Sequence, residues 1–286
     1  MKLPIKISIG VSLVSILFIL MLFNNLHNRL TTFKKSSAIE KNQKDLENLK
    51  NTTDLILQKA KNTLTIVSIA NSERKCLDKK IQHKFEFYLK HIPTITELKY
   101  ISMDGLELIS ISNKRLFSKK SSLSYLDKES FKVALKEDFF ISNIYFNPDN
   151  YEMMIDISRK VIDMQNNKIM GVIIAKISMY SIQEMISDKL IDFDAIALLN
   201  LDTEKFLYKS SYAKNIEEDK FLSSTKDIST ITHNDENYLM VTSNYNNQQL
   251  NMKFFVLTKE NNLFKEINKT IKKDIQLLIF IIFISS

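Results

Sequence analysis

The segment Tyr100–Ser112, YISMDGLELISIS, decides the fold because it specifies a β-hairpin directly after a predicted helical region. Two β-prone runs flank Asp104 and Gly105, and Asp-Gly between alternating apolar and polar residues is among the strongest short-range hairpin signals. Glycine is scarce here, with 3 in 286 residues, so its position at this turn is informative. The segment predicts an antiparallel sheet.

The region before the hairpin is predicted to be helical. Residues 24–72 contain no proline or glycine, and an apolar stripe with spacings of three and four runs from Leu49 to Ala70. This spacing is typical of an amphipathic helix. The stripe either packs on the domain or forms a coiled-coil seam, although two threonines weaken a pure coiled-coil interpretation. A second helix is expected at Leu77–Lys90, before Pro93.

The region after the hairpin alternates strands and turns. The strands come in hairpins, which predicts antiparallel sheets with helices against them, an α+β fold with a long N-terminal helix. Residues 211–235 are expected to form a polar loop. The expected strands are 141–146, 151–161, 169–179, 194–201, 205–210, 236–244 and 251–259, and further helices are expected at 128–135, 181–190 and 261–273.

Apolar segments stand at both ends of the chain, at Ile7–Phe23 and Ile275–Ile284. The first is about long enough to span a bilayer, and Lys2 and Lys6 before it predict a cytoplasmic N-terminus. An uncleaved anchor is favoured over a signal peptide because no small-x-small cleavage site follows. The second is short for a span, so we expect the chain to end inside a second anchor. This layout predicts a protein of the cytoplasmic (inner) membrane whose middle lies in the periplasm or outside the cell.

Composition argues against several function classes. The net charge is +7, but 40 basic and 33 acidic residues are interspersed, without the basic and aromatic stripe of nucleic-acid binders. Cys76 is the single cysteine, so no internal disulfide forms. The four histidines form no metal-ligand motif, and no P-loop, G-x-S-x-G or H-E-x-x-H is present. We therefore expect no enzyme activity, cofactor, metal or nucleic-acid partner.

The order of these elements resembles the double Cache (dCache) extracytoplasmic sensor domain of bacterial chemoreceptors, sensor histidine kinases and diguanylate cyclases. The resemblance extends over roughly residues 35–270, and the segments that carry it are 100–112, 127–135, 141–186, 197–210 and 238–262. It implies two PAS-like Cache lobes in a signal-transduction protein of two-component or chemotaxis type. The implied divisions are an anchor (1–24), a stalk helix (25–75), a membrane-distal lobe (76–192), a membrane-proximal lobe (193–262) and a helix entering the second anchor (263–286).

The resemblance also implies a ligand site in the distal lobe. In members that bind amino acids, a Tyr, an Arg-x-Trp-Tyr motif, another Tyr and an Asp surround the ligand. Here Lys128 stands at the Arg, Ser130 at the Trp, Phe131 at the following Tyr and Lys176 at the Asp, while Tyr145 matches. The candidate ligand-binding residues are therefore Lys128, Phe131, Tyr145 and Lys176. Two lysines facing one pocket favour an anion such as a carboxylate or phosphate, unless Lys176 points out of the sheet or the pocket is closed.

The sequence thus predicts the sensory input domain of a membrane receptor. It would bind a small molecule, preferably an anion, in the distal lobe and pass the signal through the second transmembrane helix. A ligand achieves this only through different affinities for two conformations. A parallel homodimer through the stalk helix is expected. The alternative is a membrane-anchored structural or scaffolding envelope protein with no small-molecule ligand.

Overall fold

The secondary structure consists of one very long helix, short helices and two sheets. A computed structural model describes residues 3–70, 77–113, 124–148, 151–180, 184, 195–222, 226–247 and 250–265, together with the helical residues 269, 270, 273 and 276. The helices with defined bounds are α1 (Leu3–Ser68), α2 (Leu77–His91), α3 (Glu129–Lys132) and α4 (Glu218–Leu222), with a 3₁₀ turn at Ala213–Asn215. Residues 260–265 are also helical.

Helix α1 is 66 residues long and confirms the predicted long N-terminal helix. Its predicted stripe is buried, with Leu49, Ile56 and Val67 each at most 2 % exposed. The threonines within it are also buried, and the Thr53 hydroxyl donates to the Leu49 carbonyl at 3.0 Å. A hydroxyl satisfied within its own helix is compatible with an apolar environment. The stripe therefore packs within the chain.

The first sheet has seven strands. Its main path is β1-β6-β7-β2-β3, and β4 and β5 also pair with β6. All pairs are antiparallel except β1 with β6. The strands are β1 (Ile69–Ala70), β2 (Ile95–Ser102), β3 (Glu107–Ser112), β4 (Phe140–Ile141), β5 (Tyr145–Asn147), β6 (Glu152–Asp163) and β7 (Ile169–Ser178).

Two glycines permit the close geometry of this sheet. Gly105 has φ +72° in the turn between β2 and β3, which confirms the predicted hairpin. Gly171 on β7 is the register partner of Ser102 on the neighbouring strand β2, and a Cβ atom there would be 2.2 Å from the carbonyl oxygen of Ile101. Any side chain at 171 would therefore force the central strands apart.

The second sheet has five strands in the order β10-β11-β12-β8-β9. The predicted loop at 211–235 was wrong, because α4 and β10 lie within it. Only Ile231 is buried in β10, so this edge strand carries almost no hydrophobic pattern. The strands are β8 (Ala195–Asn200), β9 (Lys205–Lys209), β10 (Ile228–His233), β11 (Glu236–Asn247) and β12 (Leu250–Lys259).

The chain divides into two compact units, one formed by residues 1–45, 214–242 and 255–286 and the other by 46–213 and 243–254. The first sheet lies entirely in the second of these. Among the described residues, no helix combines the length and the apolar character needed to cross a membrane. Most of the predicted helix at 181–190 and of the second apolar segment lies outside the described residues.

Candidate functional site

A network of charged and hydroxyl side chains crosses one face of the first sheet. It includes Tyr145 on β5, Asp156 on β6, Lys176 on β7, Glu97 on β2 and Glu107 on β3. Lys99 on β2 and Tyr125, in the segment before α3, complete it. Residues two apart in a strand point to the same face, so Glu97 and Lys99 belong to one surface.

One end of the network, which we call the Lys99 cluster, consists of Lys99, Glu97, Glu107 and Tyr125. The Lys99 ammonium lies 2.8 Å from Glu107 Oε2 and 3.3 Å from Glu97 Oε1. The Tyr125 hydroxyl donates to Glu107 Oε2 at 3.0 Å. Glu107 is 4 % and Lys99 9 % exposed, so these charges are largely withdrawn from water.

The ion pairs of the Lys99 cluster keep its groups charged despite burial. Burial alone would lower the pKa of Lys99, but Glu97 and Glu107 outweigh it and the net pKa is raised. Burial would likewise raise the pKa of Glu97, whereas Lys176 and Lys99 bring its net pKa below the usual value. Burial raises the pKa of Tyr125 to about 12, so its phenol remains a donor at neutral pH.

The other end of the network is formed by Tyr145, Asp156 and Lys176. The Tyr145 hydroxyl donates to Asp156 Oδ1 at 2.6 Å. Asp156 and Lys176 are register partners on β6 and β7, and the Lys176 ammonium lies 3.1 Å from Glu97 Oε2. Burial raises the pKa of Asp156, and the Tyr145 bond and Lys176 offset this only in part. This end therefore places an acid of raised pKa beside a cation on the neighbouring strand.

The Asp156→Asn variant is expected to gain stability relative to wild type as pH rises from about 4 to 7. The folded-state pKa of Asp156 is raised, so the folded protein binds a proton more tightly than the unfolded chain. The contribution of Asp156 to the free energy of unfolding is fully present below its pKa in the unfolded chain. It is lost as pH rises through its pKa in the folded protein. Urea unfolding of both proteins across this pH range measures the difference.

The Glu97→Gln variant is the control with the opposite sign, and its unfolding is compared with wild type as pH falls below about 4.3. The folded pKa of Glu97 is lowered, so its contribution is present above the unfolded value, about 4.3, and is lost as pH falls through the folded pKa. A difference between wild type and Asp156→Asn that does not change from pH 4 to 7 would contradict the assignment.

Of the four predicted ligand-binding residues, two lie in the network and two lie elsewhere. Tyr145 and Lys176 belong to it. Phe131 is 2 % exposed and packs in an apolar cluster on the first sheet with Phe140 and Ile174, among others. Lys128 is exposed as the N-cap residue of α3, and its side chain makes no capping hydrogen bond.

Five members of the network were missed by sequence reasoning, although the sequence contains a signal for four of them. Glu97 and Lys99 alternate within an otherwise β-prone run, and Glu107 and Asp156 interrupt apolar strands. Charged residues are rarely buried unless they are paired, so charges at inward strand positions predict ion pairs. The remaining residue, Tyr125, lies outside any predicted element and carries no such signal.

The charge balance of the network bears on the predicted anion preference. Three carboxylates (Glu97, Glu107 and Asp156) stand with two ammonium groups (Lys99 and Lys176), so the network has no excess of positive charge. It can donate through Lys176 and accept through Asp156. Within the described ranges, no three His, Cys, Asp or Glu side chains come together as metal ligands.

Comparison with known proteins gives structural relatives only. No protein-family model matches the sequence, and no curated protein matches it significantly. The sensory domain of the Campylobacter jejuni chemoreceptor Tlp3 superposes with a TM-score of 0.65 at 13 % identity, covering 82 % of this chain and 99 % of that one. Tlp3 domains were solved with isoleucine and with L-valine.

Two Pseudomonas domains are also similar. The ligand-binding domain of Pseudomonas fluorescens chemoreceptor CtaA, solved with L-serine, gives a TM-score of 0.55 at 11 % identity and covers 79 % of this chain and 99 % of that one. The ligand-binding domain of the Pseudomonas aeruginosa amino-acid chemoreceptor PctC was solved with GABA. It gives a TM-score of 0.56 at 10 % identity and covers 78 % of this chain and 99 % of that one. The chain therefore shares its fold with these chemoreceptor ligand-binding domains, in agreement with the fold that the resemblance to double Cache domains predicted.

Proposed function

We propose that this chain is the ligand-sensing input domain of a membrane-bound receptor and that it binds a small zwitterion between Asp156 and Lys176. The observation that carries the proposal is the placement of a carboxylate and an ammonium as register partners on neighbouring strands. The similar domains were solved with isoleucine, L-valine, L-serine and GABA, each of which carries both an ammonium and a carboxylate. The fold and the chemistry of the network point to the same class of ligand.

Asp156 would receive the ammonium group of the ligand. Its Oδ1 accepts from Tyr145, which fixes the carboxylate and leaves Oδ2 for a second donor. A carboxylate has about four lone-pair positions, so it can accept from the phenol and from a ligand together. An arriving ammonium would also relieve the buried charge of Asp156, which burial otherwise disfavours.

Lys176 would receive the ligand carboxylate. Its ammonium has three N–H donors and is paired with Glu97 at 3.1 Å, which orients the side chain on the sheet. Charge-assisted hydrogen bonds of this kind are stronger than neutral ones. A ligand with only negative charge would meet Lys176 but would be repelled by Asp156, so we favour the zwitterion over the anion predicted from the sequence.

Calorimetry of the full chain in detergent tests this function with isoleucine, L-serine and GABA, each beside its deaminated acid and its decarboxylated amine. At least one zwitterion is expected to bind about tenfold or more tightly than either matched compound. Tight binding of the acids alone would support the anion predicted from the sequence. No binding by any compound would favour the scaffolding alternative.

The receptor context is part of the same proposal. The apolar segments at Ile7–Phe23 and Ile275–Ile284 would hold the domain outside the cytoplasmic membrane. A parallel homodimer would form through α1, whose residues Leu26 and Phe33 are 56 % and 69 % exposed. Ligand binding would favour one of two conformations and pass the change to the second membrane segment.

A further inference from the structure

Two strand positions connect the candidate site with helix α1. Phe140 on β4 and Ser158 on β6 are register partners, and Phe139 and Arg159 are their respective neighbours in the chain. Consecutive residues of an extended segment point to opposite faces of a sheet. The pair Phe140–Ser158 therefore shares the face of Asp156, while Phe139 and Arg159 belong to the face towards α1.

On the site face, both partners contact the segment that begins at α3. The Ser158 hydroxyl donates to the Ser130 carbonyl at 2.6 Å and is 0 % exposed. Phe140 packs in the apolar cluster with Phe131. Displacement of α3 would therefore act on β4 and β6 together.

On the opposite face, Arg159 joins the sheet to α1. Its guanidinium lies 4.7 Å from the ring centroid of Phe139, and the Lys61 ammonium lies 5.7 Å from the same ring. Arg159 also donates to the Thr65 hydroxyl, which in turn donates to the Lys61 carbonyl at 2.9 Å. One turn of α1 is thus held by a cation and a ring from the sheet.

We propose that Arg159 is the positioning residue that couples the site face to α1. This coupling rests on the proposed function in one respect, since it carries a signal only if a ligand acts on the site. Movement of Ser130 shifts Ser158, and Arg159 follows as its chain neighbour and carries the Lys61–Thr65 turn with it. The route is short and contiguous, which is the physical basis expected for coupling between two sites.

Hydrogen–deuterium exchange of the full chain without ligand tests this coupling. Ser158→Ala removes the bond to Ser130, and it is expected to accelerate amide exchange at residues 58–66 of α1 by roughly three- to tenfold. In an Arg159→Met background the same substitution is expected to change these rates less than about 1.5-fold, because the contacts of Arg159 with Thr65 and Phe139 are already absent. A merely structural role for Arg159 would instead give additive effects.

Three further variants make the result decisive. Arg159→Lys keeps a cation near Phe139 and is expected to retain part of the coupling, while Lys160→Met removes a charge at the next position of β6 and is expected to leave it unchanged. Phe131→Leu serves as a second site-face perturbation if Ser158→Ala does not fold. Equal effects of Ser158→Ala with and without Arg159, or no effect on α1 in wild type, would overturn the proposal. No ligand is used, so failure to bind a zwitterion would not affect this result.

Discussion

Replacing Lys99 by Met is expected to lower the free energy of unfolding by about 3 kcal/mol, the largest stability effect that we predict for this chain. Lys99 is the cation shared by Glu97 and Glu107, at 3.3 and 2.8 Å. Its loss leaves the carboxylate of Glu107, which is 4 % exposed, with the Tyr125 hydroxyl as its one side-chain donor among the described residues. An uncompensated buried charge is far more costly than the pair is stabilising. Urea unfolding at pH 7 measures the change.

Lys132→Met is the matched control for Lys99→Met. Lys132 pairs with Asp127 at 3.2 Å, but the two side chains are 57 % and 100 % exposed, so the expected change is below about 1 kcal/mol. Adding Glu107→Gln to Lys99→Met is expected to recover part of the loss because the unpaired charge is removed. Equal destabilisation by Lys99→Met and Lys132→Met would show that the Lys99 cluster is not a buried ion network.

Asp156→Ala and Lys176→Met are each expected to weaken binding of a zwitterion by about 30- to 100-fold, equivalent to roughly 2–3 kcal/mol. Each substitution removes one of the two charges that would pair with the ligand. Glu97 keeps Lys99 at 3.3 Å and the Ser110 hydroxyl at 2.7 Å as partners, so Lys176→Met is expected to fold. Calorimetry with the tightest zwitterion identified for wild type measures both losses.

Binding of the decarboxylated amine and of the deaminated acid distinguishes Asp156→Ala from Lys176→Met. Lys128→Met provides a control. Loss of Asp156 is expected to weaken binding of the decarboxylated amine and to leave binding of the deaminated acid unchanged. Loss of Lys176 is expected to have the reverse effect. Lys128 is exposed at the start of α3, so its substitution is expected to alter affinity less than twofold. A large loss with Lys128→Met and none with Asp156→Ala would instead support the anion site predicted from the sequence.

Much of the fold was predictable because its determinants are local. The Asp-Gly turn at Gly105 specified β2 and β3, and the absence of glycine and proline together with an apolar stripe specified α1. Where the local pattern was weak, prediction failed. Strand β10 was assigned to a loop because it lies at a sheet edge and buries only Ile231.

The candidate site was predictable only in part. Tyr145 and Lys176 followed from the family resemblance, yet the same resemblance also selected Phe131, which is packed in an apolar cluster, and Lys128, which is exposed. Asp156 was not selected, although it is the acceptor of Tyr145 and the register partner of Lys176. Alignment of a position to a motif does not predict which charged side chains surround that position in the folded protein.

The sequence by itself determined α1, most of the strands and their hairpin connections, since turn chemistry and hydrophobic periodicity act over a few neighbouring residues. The order of these elements then gave the resemblance that predicted the fold. Only the tertiary structure decided the partners within the network. Glu97 and Lys176 are 79 positions apart and meet at 3.1 Å because β2 and β7 pair in one register. A shift of one residue would turn every side chain of a strand to the opposite face. The charge of the site is therefore a property of strand register, which no single segment of the chain encodes.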